Sequence, residues 1–154
     1  MTTDPIGRNA GLCPGTIVSF RFPLGEGEGP SKTRPCLVIG SSTADGTPRI
    51  TLAYGTSADS DSNRGLDLAL AEPADWMAAG LHRPTRFVLM RRITVGPDDP
   101  GFNFHRRGGP VIGVLPATML TAFQRMCRWL GARMVEDRRR ESRRVRIGDG
   151  GPGG

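Results

Sequence analysis

The chain has 154 residues, 37% of them hydrophobic and 23% charged, which suits one domain with a modest core. Its 22 glycines and 13 prolines work against long helices over most of the length and favour short strands joined by turns. No run approaches the roughly 20 apolar residues that span a bilayer, and MTTDPIGRNAGLCPG lacks the basic-then-apolar pattern of a signal peptide, so a cytoplasmic protein without a membrane partner is expected.

The net charge of +6 is unevenly spread. Residues 1–124 carry twelve basic and eleven acidic side chains, whereas residues 125–154 carry nine arginines and four acids. The basicity thus belongs to the C-terminal end and does not by itself make the folded core a nucleic-acid binder. The three cysteines, Cys13, Cys36 and Cys127, are widely spaced and form no C-x-x-C pair. They support neither a disulfide framework nor a zinc site, and Cys36 and Cys127 read as core thiols.

In chain order, Thr16 to Phe22 (TIVSFRF) sets Val18, Phe20 and Phe22 on one face of a half-buried strand. A Gly-rich loop follows, and Pro35 opens a second strand, CLVIG, where its missing N–H need not enter the ladder. Asp45-Gly46 inside SSTADGTP is a hairpin signal. Arg49 to Tyr54 alternates as a third strand, and Leu66 to Leu70 as a short fourth. Pro73 starts a short helix whose C′ residue is Gly80. Thr85 to Val95 is the strongest strand, and Val111 to Leu115 the last.

From Pro116 the period changes. Met119, Leu120, Phe123, Met126, Cys127 and Leu130 recur at helical spacing, which predicts an amphipathic helix covering an open end of the sheet. The helix is expected to end between Gly131 and Val135. Short strands, many turns and one late helix predict a mainly β fold, a small barrel over residues 1–135, and a flexible Arg/Gly-rich tail over 136–154. Trp76 and Trp129 read as packing residues.

The segments PGTIVSFRFPL, KTRPCLVIG, ITLAYGTS, AAGLHRPTRFVLMRRITV and GVLPATMLTAF occur in an order that resembles the PemK/MazF toxins. There a strand and loop lead to an Arg-Pro before an apolar strand. A third strand ends in Thr-Ser, and Gly-Leu precedes a further site strand. The likeness runs from about Pro14 to Leu130. It implies an SH3-like barrel, a homodimer, a small antitoxin partner and no cofactor. It also implies a metal-independent endoribonuclease acting on single-stranded RNA. In that chemistry the 2′-hydroxyl attacks the adjacent phosphorus, leaving a cyclic phosphate and a 5′-hydroxyl.

By the resemblance, Arg34 is the arginine before the proline, able to hold a phosphate with two parallel hydrogen bonds. Thr56 is the strand-end threonine, whose hydroxyl can bond a phosphate oxygen. Glu28 stands in as acid or base from the loop before Arg34, where members often carry Glu or His. Lys32, Ser57, Arg86, Arg91 and Arg92 are the expected RNA contacts. The chain departs from the family on the Thr85 to Val95 strand, where an arginine and an acid align near Val88 and Met90. A barrel that has lost catalysis and binds RNA or a protein partner is therefore the alternative. His105 in a long loop and His82 after Leu81 are further titratable candidates.

Overall fold

The computed structural model describes residues 12–21, 33–57 and 66–149. Six strands form one antiparallel sheet curled into a half-barrel. They are β1 (Thr16–Arg21), β2 (Thr33–Ala44), β3 (Thr47–Ser57), β4 (Asp67–Leu70), β5 (Thr85–Val95) and β6 (Val111–Val114). Helix α1 (Pro73–Ala78) joins β4 to β5, and α2 (Ala117–Asp149) follows β6. The strand order is β4-β5-β3-β2-β1-β6, so β4 and β6 are the edges.

The β2–β3 hairpin is longer than the sequence pattern predicts. Strand pairing continues to Ala44 opposite Thr47, leaving only Asp45 and Gly46 in the turn. Both have positive φ, 52° and 77°, the geometry of a type I′ turn that matches the twist of the flanking strands. Strand β5 is one element but not one regular ladder. Arg92 faces Ala53 and Val88 faces Tyr54, so Leu89, Met90 and Arg91 form a bulge against β3. The Leu89 N–H instead bonds the Leu66 carbonyl at 2.8 Å.

The sheet is buried on both faces. On one, Ile17, Leu37, Ala53, Leu70, Phe87 and Leu89 pack with Phe123 and Leu130 of α2. On the other, Val18, Phe20, Cys36, Val38, Leu52 and Tyr54 pack with Leu12 and Phe102. Strand β1 is therefore not half-buried: Thr16 to Phe20 are all buried. Val18 and Phe20 do share a face, while Phe22 lies outside the described residues. The cover on that side comes from loop residues without strand periodicity. Phe102 stacks edge-on against Phe20 at 4.9 Å, and the Arg21 N–H bonds the Gly101 carbonyl at 2.8 Å.

Cys36 is fully buried, and burial pushes its thiol up to about 12 despite a backbone hydrogen bond from Gly55 and the nearby Arg34 charge. Cys127 packs against the helix-side core. Trp76 packs there too, but Trp129 is half exposed.

Helix α2 meets the expected core face, with Phe123 and Leu130 buried and Met119, Met126 and Cys127 packed beside them. Leu120 remains exposed. The expected end near residues 131–135 is not where the helix stops. It continues to Asp149, about 50 Å at 1.5 Å per residue. An apolar anchor is not needed for this, because arginine and glutamate are good helix formers. Glu136 also pairs with Arg140 at 2.9 Å in the favourable i,i+4 order. Among the described residues no helix is long and apolar enough to cross a membrane.

Leu130 is the last buried residue of α2 among the described residues. A chain ending at Val135 should therefore melt within about 2 °C of the full chain, since losing exposed helix shifts stability by only a few tenths of a kcal/mol. Its far-UV helical signal should fall. A large drop in melting temperature would show that the distal helix supports the fold.

Candidate functional site

A cleft of about 490 Å³ opens at the end of the half-barrel where β2 begins, β3 ends and β5 begins. Its lining includes Arg34 and Pro35 from β2 and Gly55, Thr56 and Ser57 from β3. Leu81, His82 and Arg83 come from the α1–β5 connection, Thr85 from the start of β5, Arg106 from the loop before β6 and Ile112 from β6. Three guanidinium groups and one imidazole thus share the cleft with several hydroxyls, and no carboxylate is among the described lining residues. Such a surface attracts anions.

The backbone that carries these groups is closely held. At Gly55 a Cβ would collide with the Pro35 carbonyl oxygen, so only glycine lets β3 lie this near β2 at the cleft floor. The end of α1 is a Schellman turn, as Gly80 in the sequence predicts. The Leu81 N–H bonds the Trp76 carbonyl at 2.9 Å and the Gly80 N–H bonds the Met77 carbonyl at 3.0 Å. Leu81 and Trp76 pack together in the helix-side core. The turn delivers His82 and Arg83 to the cleft, and the Thr85 hydroxyl donates to the Arg83 carbonyl at 3.0 Å. Arg106 is held by its own loop, donating to the carbonyls of Gly109 and Val111 at 3.2 and 3.0 Å.

Of the residues singled out from the sequence, Arg34, Thr56 and Ser57 come together at this cleft. The Arg34 guanidinium lies 5.7 Å from the Tyr54 ring centre. Its Nε is buried, and among the described residues it has no hydrogen-bond acceptor. Buried donors are usually satisfied, so this one stands out beside the cleft. Glu28 and Lys32 lie outside the described residues.

The other expected contacts are elsewhere. Arg86 faces Thr56 across the β3–β5 ladder, but it is buried and ion-paired with Asp67 at 2.7 Å. Its charge organises the strand pair beside the cleft and is not presented at the surface. Arg91, on the β5 bulge, stacks over Tyr54 at 4.5 Å. Arg92 is half-buried opposite Ala53. Val88 is buried and Met90 is exposed on the bulge, so β5 brings no carboxylate to the cleft. His105 is exposed in its loop and does not line it.

The sequence pattern does not reach Arg83 and Arg106, and it offers His82 only as a further titratable candidate. Gly80-Leu81 was the usable signal for His82 and Arg83, because a Schellman turn fixes the direction of the residues that follow it. Arg106 had no such signal, since its position depends on a loop closing across the sheet.

Asp67→Ala should destabilise the fold by about 3–5 kcal/mol in urea denaturation, because it leaves the Arg86 charge buried without its carboxylate. A cost below about 1 kcal/mol would show the pair to be solvated. Gly80→Ala should cost about 2 kcal/mol, since φ is +80° and the new methyl would sit 2.6 Å from the Ile112 carbonyl oxygen. Unchanged stability would mean that the turn relaxes freely. No family model matches this chain and no curated protein is significantly similar to it.

Proposed function

We propose that the protein is a metal-independent endoribonuclease of the PemK/MazF type, built on an SH3-like barrel and cutting single-stranded RNA. The observation that carries this reading is the convergence of Arg34, Thr56 and Ser57 on one cation-lined cleft. These residues come from two strands, β2 and β3, and are those that the segment resemblance assigns to the site. In the reaction the 2′-oxygen bonds to phosphorus as the bond to the 5′-oxygen breaks, giving a cyclic phosphate and a 5′-hydroxyl.

Negative charge grows on the two non-bridging oxygens in the transition state. The Arg34 fork holds both, and the Thr56 hydroxyl donates to one. Arg83 and Arg106 take neighbouring phosphates, which adds affinity without reading base sequence. A homodimer and a small antitoxin partner belong to the same proposal.

One observation favours a second reading, in which the cleft binds RNA or a protein partner without cutting. Buried Val88 and exposed Met90 stand where family members carry an arginine and an acid, and no carboxylate is among the described lining residues. Incubating pure protein with mixed-sequence RNA plus chelator separates the two. Cyclic phosphate and 5′-hydroxyl ends support the nuclease, and uncut but bound RNA supports the binding protein.

In the nuclease, Arg34→Ala should slow cleavage by about a hundredfold or more, the usual loss when a preorganised charge-stabilising donor is removed. Arg34→Lys should restore little, because an ammonium is a point charge without the fork. Thr56→Val should cost less, since it removes one neutral hydrogen bond. Parent-like cleavage in all three variants would disprove the site assignment.

A further inference from the structure

We infer that His82 is the proton-transfer residue of the cleft, a catalytic role that rests on the nuclease reading above. The reaction needs a group to take the 2′-hydroxyl proton while the cations hold the phosphate. Arginine does not exchange protons near neutral pH, and hydroxyl side chains are poor bases. The described lining offers Arg34, Arg83 and Arg106 as cations, Thr33, Thr56, Ser57 and Thr85 as hydroxyls, and no carboxylate. His82 is the one imidazole among the described lining residues, and imidazole is the side-chain type best suited to proton transfer under physiological conditions.

Its placement supports the role. His82 is exposed, so its ring nitrogens are open to substrate. Its backbone is nevertheless fixed. The Schellman turn at Gly80 and buried Leu81 anchor the preceding side, and the Thr85 hydroxyl on the Arg83 carbonyl anchors the following one. A proton-accepting side chain on a closely held turn thus lines the same cleft as the cations, which general-base catalysis requires. The groups sharing the cleft are Arg34 from β2, Arg83 beside it and Arg106 from the loop before β6.

In the step, a neutral imidazole nitrogen accepts the proton of the 2′-hydroxyl. The 2′-oxygen–phosphorus bond forms, and the phosphorus–5′-oxygen bond breaks with its electron pair going to the 5′-oxygen. That oxygen takes a proton from water, and the imidazolium returns its own to solvent. No oxidant, metal or external nucleophile enters.

The test uses the full chain, a cleavable RNA oligonucleotide and a 2′-O-methyl copy of it that cannot react. His82→Asn should lower the single-turnover rate by about a hundredfold or more, within the usual range for a lost general base. It should leave binding of the 2′-O-methyl copy close to that of the parent. The parent rate should rise with pH, because a base accepts the 2′-hydroxyl proton only in its unprotonated form, and the variant should lack that limb. His105→Asn, whose ring is exposed and outside the cleft, should keep the parent rate and profile.

A His82→Asn protein with the parent rate and profile overturns the inference while leaving the nuclease reading intact. A rate loss matched by an equal loss of binding assigns His82 to holding phosphate and also overturns it. A parent that cuts no RNA overturns the nuclease reading, and this inference with it. His82→Gln and a melting curve guard against a folding defect; if either protein is misfolded, the correctly folded one decides.

Discussion

The turn after α1 and the edge strand β6 touch backbone to backbone, and the cleft depends on that contact. A Cβ on Gly80 would press on the Ile112 carbonyl, and one on Gly113 would press on the Ala79 carbonyl. Two glycines facing each other's neighbours let the surfaces approach more closely than side chains allow. Among the described residues no ladder joins the edge strands β4 and β6, and this contact ties the turn after α1 to the β6 edge. It also brings Ile112 and Arg106, from β6 and the loop before it, to the same cleft as His82 and Arg83.

Around the opening, the charges fall into two groups with different duties. Arg86 and Asp67 neutralise each other inside the β4–β5 pair, so they add little field to the cleft. Arg34, Arg83 and Arg106 have no carboxylate beside them among the described lining residues, so their field reaches the opening. Tyr54 lies near both Arg34 and Arg91, and its ring face gives the guanidinium groups a weak partner that leaves their charge intact. The local sign is thus positive even though residues 1–124 are nearly balanced in charge.

Helix α2 divides by what it buries. Up to Leu130 it is a core element that seals the helix-side face of the sheet. Beyond that point it persists on backbone hydrogen bonding and pairs such as Glu136–Arg140. A helix of this kind is stable only as a continuation of one already nucleated, because starting a helix is costly and extending it is not. The packed first half supplies that start.

By itself the sequence determined the local features. Alternation placed the strands, Asp45-Gly46 placed the hairpin turn, and Gly80 placed the end of α1, because each follows from the conformational preferences of adjacent residues. The joint importance of Arg34, Thr56 and Ser57 was legible only through a resemblance between segments. Tertiary structure alone decided what depends on distant parts of the chain. It buried both faces of β1, because Leu12 and Phe102 arrive from loops without periodicity. It took Arg86 out of solvent, because Asp67 on the neighbouring strand β4, two residues along from Arg86's own ladder partner Ala69, reaches it as an ion pair. It also brought His82, Arg83 and Arg106 to the cleft of Arg34, since strand periodicity specifies which face a side chain takes and not which loops close over the sheet's end.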